Sequence, residues 1–303
     1  MTAERERDRD RLRTDRLVVE AAQYRAAEKA LQRIFDGGRR PARIKVRRAL
    51  LLQPRQRGPL SPAIRLLMRN GTALGFYLSA LLEIQSRRPP RRNAVIANTR
   101  PLDTDGVNLG WKALLPHAPD AKATTRQLQR TLDRLQGARL VQLGPPRIRD
   151  RYAAFRLMSE TGTMRRTRYS VPVAGDDPVF RLPKDFYLRG WVHVLTAAEI
   201  ILLMVLLDLR EQFGSGGVYL ADTRKAEYCL TKEVYERHTA LTAYGLIDRL
   251  DDPDRRGDGT IVRRPADGDP PRPWRFLVHP DRLKRDAHKT VVDALRARSQ
   301  PAA

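Results

Sequence analysis

The sequence contains a single cysteine and no apolar run long enough to cross a bilayer. Because Cys229 is the only cysteine, one chain forms neither an internal disulfide nor a thiolate metal cluster, which is typical of a reducing cytoplasm. The longest apolar candidate, at 200–207, is far shorter than the roughly 20 residues of a membrane span. Residues 1–16 lack the apolar core of a signal peptide. These absences predict a cytoplasmic protein with no membrane partner.

Residues that carry catalysis are also scarce. The five histidines, at positions 117, 193, 238, 279 and 288, are scattered without the spacing of metal ligands. The glycine-rich run at 214–217 lacks the Lys-Ser/Thr that follows in a phosphate-binding loop. Acid pairs at 103 and 105 and at 176 and 177 lie in turn-rich segments, where aspartate is favoured for backbone reasons. We therefore expect no enzymatic activity, no cofactor and no metal site.

Positive charge is abundant and unevenly distributed. The formal net charge is +23 at pH 7. Residues 1–158 contain 34 Lys and Arg against 14 Asp and Glu, a net of +20, whereas residues 159–303 contain 24 against 21, a net of +3. This balance favours a polyanionic partner, with nucleic acid first and an acidic membrane surface second. A GC-rich genome explains frequent arginine but not the asymmetry, since the same genome encodes both halves.

The basic residues are densest between Gly37 and Leu102. Fifteen Lys or Arg residues there meet a single acid, Glu83. Like charges at this density repel each other unless an anion lies alongside. Two interpretations stay open, a surface that contacts phosphates and a solvated basic linker.

The run at 123–158 has the outline of a winged helix. Thr124 and Gln127 match a capping box and predict a helix that starts at Thr124. Leucines then recur at spacings of four and three, which predicts an apolar stripe with a basic face opposite. Strands are predicted at 139–143 and 151–158, on either side of a Gly-Pro-Pro turn. In this arrangement the helix can enter a major groove while the turn lies on adjacent backbone.

The same order of elements occurs twice. Thr72–Ser86 and 200–213 are apolar nearly all round, so each is predicted to be the buried first helix of a domain. Short second helices are predicted at 108–117 and 222–230. A capping box of Thr196 and Glu199 marks the start of the second set.

The predicted fold class is therefore α+β, mainly α with small β-wings, in two tandem winged helix-turn-helix domains. The predicted division of the chain is a charged amphipathic N-terminal helix at 1–36, a basic linker at 37–58, winged-helix domain 1 at 59–159, a connector at 160–190, winged-helix domain 2 at 191–280 and a C-terminal tail at 281–303. The N-terminal helix either packs on the body or pairs with another copy.

A family resemblance is carried by 223–247, TRKAEYCLTKEVYERHTALTAYGLI. It resembles the helix-turn-helix half of bacterial winged-helix regulators, with Thr231 as the cap of a third helix that runs to Tyr244 and Gly245 at the entry to a strand. A long polar wing is predicted at 251–273. Two such domains on about 300 residues resemble plasmid-type replication initiators and two-domain actinomycete mobile-element regulators. The resemblance implies DNA binding through the third helix of each domain.

The expected DNA contacts follow from that implication. In domain 1, arginine to guanine and glutamine to adenine are the common bidentate pairings. The reading helix supplies Thr125, Arg126, Gln127, Arg130 and Arg134, the wing supplies Arg147, Arg149 and Arg151, and the second reading helix supplies Lys232 and Arg237. The face of that second helix is nearly neutral and its wing carries acids, so domain 2 suits self-association better than a second DNA contact.

The predicted function is sequence-specific binding of double-stranded DNA by a nucleoid-associated cytoplasmic protein, a replication initiator or transcription regulator that forms a homodimer. Two alternatives stay open. An architectural or partition-like protein would coat DNA through charge, with steep salt dependence and little sequence preference. An RNA-binding protein is disfavoured because the aromatic residues of the basic region are few and are predicted to be buried.

Overall fold

The computed structural model describes residues 3–53, 60–67, 72–87, 98–105, 108–116, 120–148, 150–153, 155–163, 167–173, 178–250 and 274–300. Within these ranges the chain is mainly helical and contains three small antiparallel sheets. The α+β class is therefore confirmed at this level.

Two helices form the N-terminal part of the chain. They are α1 (Ala3–Val19) and α2 (Ala21–Asp36), separated at Glu20. The one helix expected at 1–36 is therefore two, and the first of them, α1, lies along the last helix of the chain. Both helices pack on the body, where Leu17 and Leu31 are fully buried.

The first unit, defined here as residues 72–158, begins with the buried helix that the sequence predicts. Helix α3 (Pro62–Leu67) precedes α4 (Thr72–Ser86), in which every residue after Thr72 is buried. A 3₁₀ turn at Trp111–Leu114 takes the place of the helix expected at 108–117. Helix α5 follows (Ala121–Gly137), and β3 (Arg156–Leu157) returns antiparallel to β2 (Val141–Gln142).

The segments predicted as a basic linker and a connector both belong to the folded body. Strand β1 (Arg43–Arg47) pairs antiparallel with β4 (Val179–Pro183), and Ile44 lies opposite Leu182. Ile44, Leu182 and the neighbouring Phe180 are fully buried. The linker prediction was wrong because the apolar alternation of β1 is short and stands among arginines, and its partner strand lies more than a hundred residues away.

The second unit, residues 196–279, also begins with a long buried helix and ends with two antiparallel strands. Two short helices lead into it, α6 (Asp185–Leu188) and α7 (Trp191–Val194). Its own elements are α8 (Ala197–Phe213), β5 (Val218–Tyr219), α9 (Asp222–Glu227), α10 (Lys232–Glu236), α11 (His238–Ala243), β6 (Ile247–Leu250) and β7 (Arg275–Val278), with β7 central in the sheet. The capping box of Thr196 and Glu199 is confirmed. The long wing predicted at 251–273 lies outside the described residues.

The stretch predicted as a C-terminal tail is largely helical. A 3₁₀ turn at Pro280–Lys284 leads into α12 (Ala287–Ser299), which starts at Asp286 as its N-cap. The His288 ring nitrogen Nε2 lies 2.8 Å from the Leu17 carbonyl oxygen, and the Arg298 guanidinium lies 3.2 Å from the Asp10 carboxylate. Helix α12 therefore holds α1 in place.

The two units share one hydrophobic core. The buried side chains of α4, α5 and α8 belong to the same cluster as those of α2, α7 and α12. Gly75 of α4 lies against α7, which leads into the second unit, because a Cβ atom at Gly75 would lie only 2.7 Å from the Val192 carbonyl oxygen. The boundaries predicted from sequence therefore do not separate independent cores.

Candidate nucleic-acid interface

The N-cap of helix α5 lies four residues before Thr124, the cap that the sequence predicts. Its N-cap is Asp120, whose carboxylate accepts hydrogen bonds from the backbone N–H groups of Lys122, at 3.1 Å, and Ala123, at 3.0 Å. The capping box at Thr124 and Gln127 was a wrong interpretation. The Thr124 hydroxyl instead donates to the Asp120 carbonyl oxygen inside the first turn. The end of the helix at Gly137 is confirmed.

One face of α5 presents cations to solvent. Arg126 and Arg130 are exposed, on the side opposite the buried Leu128 and Leu132. Within the described part of the chain, neither arginine lies within 4.0 Å of a carboxylate. Lys122, one turn earlier, is exposed on the same face.

Three other predicted contacts on α5 are half-buried. The Thr125 hydroxyl donates to the Ala121 carbonyl oxygen at 2.9 Å, so it is engaged by its own helix. The Gln127 side-chain amide donates to the Pro116 carbonyl oxygen at 3.4 Å. Gln127 and Arg134 also border a groove between the two units, and neither belongs to the exposed stripe. Of the base contacts predicted on α5, Arg126 and Arg130 therefore face solvent, whereas Gln127 and Arg134 face the groove.

The turn between β2 and β3 places further cations beside α5. Arg147 is exposed, with a backbone φ of 70°, and Ile148 next to it is 54% exposed. Arg151 lies back against the helix, with its guanidinium 3.3 Å from the Asp133 carboxylate, and the Tyr152 hydroxyl donates to the other Asp133 oxygen at 3.0 Å. Arg149 lies outside the described residues.

Arg151 and Tyr152 change the charge of the helix surface. Asp133 is the acidic side chain on the exposed face of α5, and both of its oxygens are engaged from the β2–β3 turn. A carboxylate that is paired in this way repels a neighbouring anion less than a free one. Arg151 therefore acts on the interface through Asp133 rather than as a free phosphate ligand.

In the second unit the corresponding cations are paired on their own helix. Lys232 lies 3.8 Å from Glu236, and Arg237, the C-cap of α10, lies 3.4 Å from Glu233, so both pairs have a spacing of four residues. The single helix predicted from Thr231 to Tyr244 is wrong, since α10 ends at Glu236 and α11 begins at His238.

Side chains interrupt that helix. The His238 ring contacts the Tyr235 carbonyl oxygen at 2.8 Å, and the Thr239 hydroxyl donates to the Glu236 carbonyl oxygen at 3.0 Å. Side chains that bond to nearby carbonyls compete with the backbone N–H groups of a continuous helix. The Thr231 cap itself is confirmed, because its hydroxyl accepts from the Val234 N–H.

The two predicted reading helices border the same groove. Gln127 and Arg134 of α5 and Glu233 and Arg237 of α10 line a groove of about 550 Å³. The N-terminus of α8 and the side chain of Arg16 on α1 complete its walls. Gln127 and Arg134 of the first unit and Arg237 of the second unit therefore face a common groove.

In the described segments between Gly37 and Leu102, four arginines are paired with buried carboxylates. Arg47 pairs with the buried Glu160 at 2.7 Å, and Arg48 pairs with the buried Asp208 at 2.6 Å. Arg87 and Arg100 both bond to the buried carboxylate of Glu83. A count of charged residues between 37 and 102 does not reveal Glu160 and Asp208, because these two acids lie more than a hundred residues downstream of Arg47 and Arg48.

Another ion pair joins α1 to the second unit, and sequence reasoning did not find it. The Arg13 guanidinium forms two bonds to the Glu199 carboxylate, at 2.6 and 2.8 Å, and donates to the Tyr244 hydroxyl at 3.0 Å. Burial opposes the charge of Glu199, but Arg13 and the Thr196 N–H hold its pKa below the usual value. The available signal was the apolar stripe of α1, which Arg13 interrupts.

The aromatic residues of the basic region are buried, as predicted. Phe76 and Trp111 are each 1% exposed and Tyr77 is fully buried. Among the described residues, no cluster of three or more His, Cys, Asp or Glu is arranged to hold a metal ion. No helix in the described part of the chain combines the length and apolarity of a membrane span.

Comparison of the chain with protein-family models, with curated proteins and with solved structures finds no match.

Proposed function

We propose that the chain binds double-stranded DNA sequence-specifically through tandem winged-helix domains, with the first unit as the main reader. Helix α5 enters the major groove, Arg126 and Arg130 contact base edges, and Arg147 in the β2–β3 turn contacts the adjacent backbone. The observation that carries this proposal is the exposed stripe of α5, whose arginines have no carboxylate within 4.0 Å in the described part of the chain.

The choice of a single reader is supported by the second unit. Its Lys232 and Arg237 are paired with Glu236 and Glu233 on the same helix, which leaves a nearly neutral surface. The shared groove supports the same choice, because Glu233 and Arg237 line it rather than an outward basic stripe like that of α5. We assign the second unit to positioning the first and to contacts between protein chains.

The biological role that fits this division is that of a replication initiator or a transcription regulator associated with the nucleoid of the cytoplasm. Both roles need a reader that distinguishes one sequence from the bulk of the genome. They differ in the arrangement of their sites. An initiator occupies several direct repeats, whereas a dimeric repressor occupies one inverted repeat.

The second candidate is a protein that coats DNA through charge. The net charge of +23 favours it, because cation–phosphate contacts bind any sequence and release counterions. The internal pairing of Arg47, Arg48, Arg87 and Arg100 reduces the charge that is available for this role.

One experiment separates these functions. Fragments from the DNA around the gene of this protein are selected on the full chain at about 0.15 M salt and mapped by footprinting. We expect a few protected sites that compete at least about a thousandfold better than bulk DNA. Even recovery of all fragments, with affinity that collapses as salt rises, would favour the coating protein. Absence of binding to every fragment, even at low salt, would remove DNA as the partner.

A further inference from the structure

Helix α1 carries two large apolar side chains that are mostly exposed, and one of them, Leu12, lies at the edge of a groove whose opposite side is formed by residues 237–240 of the second unit. Leu12 is 70% exposed and Val19 is 80% exposed, and they lie seven residues apart on the same side of the helix. Large apolar side chains on a monomer are individually unremarkable, but two in register on one helix form a stripe.

This helix is held firmly from its other side. Arg13 is bound to Glu199 and Tyr244, Leu17 is fully buried, and Asp10 pairs with Arg298 of α12. The outward stripe is therefore carried by a fixed helix of 17 residues, about 25 Å long. A partner that docks there does not have to order the helix first.

The charges on this face are arranged with opposite signs on either side of Leu12. Asp8 lies four residues before Leu12 and Arg16 lies four residues after it. Arg9 lies three residues before Leu12 and Asp15 lies three residues after it, so this pair also has opposite signs, in the reverse order. Asp8, Asp15 and Arg16 are exposed, and none of these three lies within 4.0 Å of an opposite charge in the described part of the chain.

We propose that α1 pairs antiparallel with α1 of a second copy of this chain, with Leu12 on the two-fold axis. In that register Asp8 of each copy faces the partner's Arg16. Val19 packs on the aliphatic part of the side chain of the partner's Arg5. An isologous contact of this kind requires a self-complementary surface, and the charge pattern around Leu12 has that property. A parallel pairing in register would place Asp8 against the partner's Asp8.

The composition of the face disfavours other partners. Arg5, Asp8, Arg9, Asp15 and Arg16 together carry a net charge of only +1, so DNA or an acidic membrane gains little from contact with them. A single helix pair also buries less than the roughly 1,200 Å² of a standard specific complex. The dimer is therefore weak in free solution and is strengthened when two chains occupy neighbouring DNA sites.

The orientation is tested by crosslinking in a Cys229→Ala background of the full chain, with a short thiol-reactive bifunctional reagent. Leu12→Cys crosslinks to itself, whereas Val18→Cys, which is exposed on another side of the same helix, is the matched control and crosslinks little. Arg5→Cys and Val19→Cys crosslink when mixed but not separately. Equal crosslinking of Leu12→Cys and Val18→Cys, or efficient crosslinking of Arg5→Cys alone, overturns the proposal.

The charge pattern is tested by sedimentation equilibrium. Asp8→Arg raises the dimer dissociation constant about tenfold, because it places like charges against each other at two symmetric positions. Asp8→Arg combined with Arg16→Asp restores the wild-type value to within about twofold. A wild-type chain that stays monomeric over the whole concentration range, or a double variant weaker than Asp8→Arg, overturns the proposal. All these positions are exposed, and an unchanged thermal unfolding midpoint verifies the fold of each variant.

Discussion

Helices α5 and α10 occupy corresponding places in the two units, yet their surfaces differ in length and in charge. Helix α5 is unbroken over 17 residues, whereas α10 has five residues and is followed by the separate helix α11. Arg126 and Arg130 on α5 are exposed without a carboxylate partner in the described part of the chain, whereas both cations of α10 are paired on their own helix. The two helices thus present different surfaces to a polyanion.

The difference shows that a count of basic residues does not locate a binding surface. The described segments between Gly37 and Leu102 are the most basic by composition, but four of their arginines bond to buried carboxylates. A cation contributes to DNA binding only when its charge is not already compensated. We expect the two units to differ in the stability of their buried ion pairs and in their affinity for DNA, and the predicted effects follow from the largest to the smallest.

The largest expected effect concerns the buried carboxylates of α4 and α8. Glu83 is paired with two arginines, whereas Arg13 is the one cation paired with Glu199 among the described residues. Arg13→Ala leaves a buried charge without a cation, and we expect it to lower the free energy of unfolding by about 3–5 kcal/mol. Arg87→Ala retains Arg100 and should cost about 1–2 kcal/mol. Urea unfolding at pH 7 measures both, and equal losses would contradict the comparison.

The next effect concerns the reading surface. Arg126→Ala combined with Arg130→Ala is expected to weaken binding to the footprinted site by about a hundredfold, since each base-reading arginine contributes roughly 1–3 kcal/mol. Lys232→Ala combined with Arg237→Ala, the matched double variant of the second unit, should change the affinity less than about threefold. Titrations with labelled site DNA measure both. A larger loss in the second pair would transfer the reading role to α10.

A moderate effect is expected from His193, which lies where the two units meet. Burial lowers the pKa of His193 to about 4, so the folded chain keeps this ring neutral while the unfolded chain protonates it near pH 6.5. The unfolded state therefore binds more protons in this window, and stability falls as pH drops from 6.5 toward 4. Between pH 7 and pH 5.5 the loss from this group is about 1 kcal/mol.

The two units share one core. We therefore expect the loss of stability at acid pH to move one unfolding transition to a lower denaturant concentration, without splitting it into two transitions. His193→Leu is the variant that removes the titration. Its stability should depend less on pH over the same interval than that of the wild-type chain, as followed by chemical unfolding at each pH. Two separate transitions at pH 5.5 would show that the units unfold independently.

The smallest effect is a gain in the second unit. Glu233→Gln combined with Glu236→Gln removes both carboxylates that pair with Lys232 and Arg237, so α10 comes to resemble α5 in charge. We expect non-specific DNA affinity to rise about threefold at low salt and the salt dependence to become steeper. Asp281→Asn, which removes a similar exposed carboxylate outside both units, is the control. An unchanged affinity would mean that α10 does not approach the duplex.

The elements that the sequence predicted well are those in which a single helix or strand carries its own signal. The all-round apolarity of α4 and α8, the Thr196 cap and the Thr231 cap were confirmed because each depends on residues within one or two turns. The start of α5 was missed because Asp120 and Thr124 are both acceptable caps, and the local sequence does not choose between them. The break at Arg237 was missed because it depends on how two side chains bond to carbonyl oxygens.

The candidate interface was predicted only in part for a similar reason. The position of α5 and its basic face were visible from periodicity, which assigns residues to sides of a helix but not to neighbours. Gln127 and Arg134 face the groove, and Arg151 is bound to Asp133, because of contacts with other elements. The prediction that domain 2 serves self-association and the predictions for DNA contacts stay predictions.

By itself, the sequence determined the mainly helical class with small antiparallel sheets, the two buried helices and the excess of positive charge in the first half. Each of these is encoded in composition or in a short period, which acts through nearby residues. Tertiary structure alone decided which cations are exposed and which are compensated. Pairs such as Arg13 with Glu199 and Arg47 with Glu160 join residues more than a hundred positions apart, and only the packing of the whole chain brings them within bonding distance.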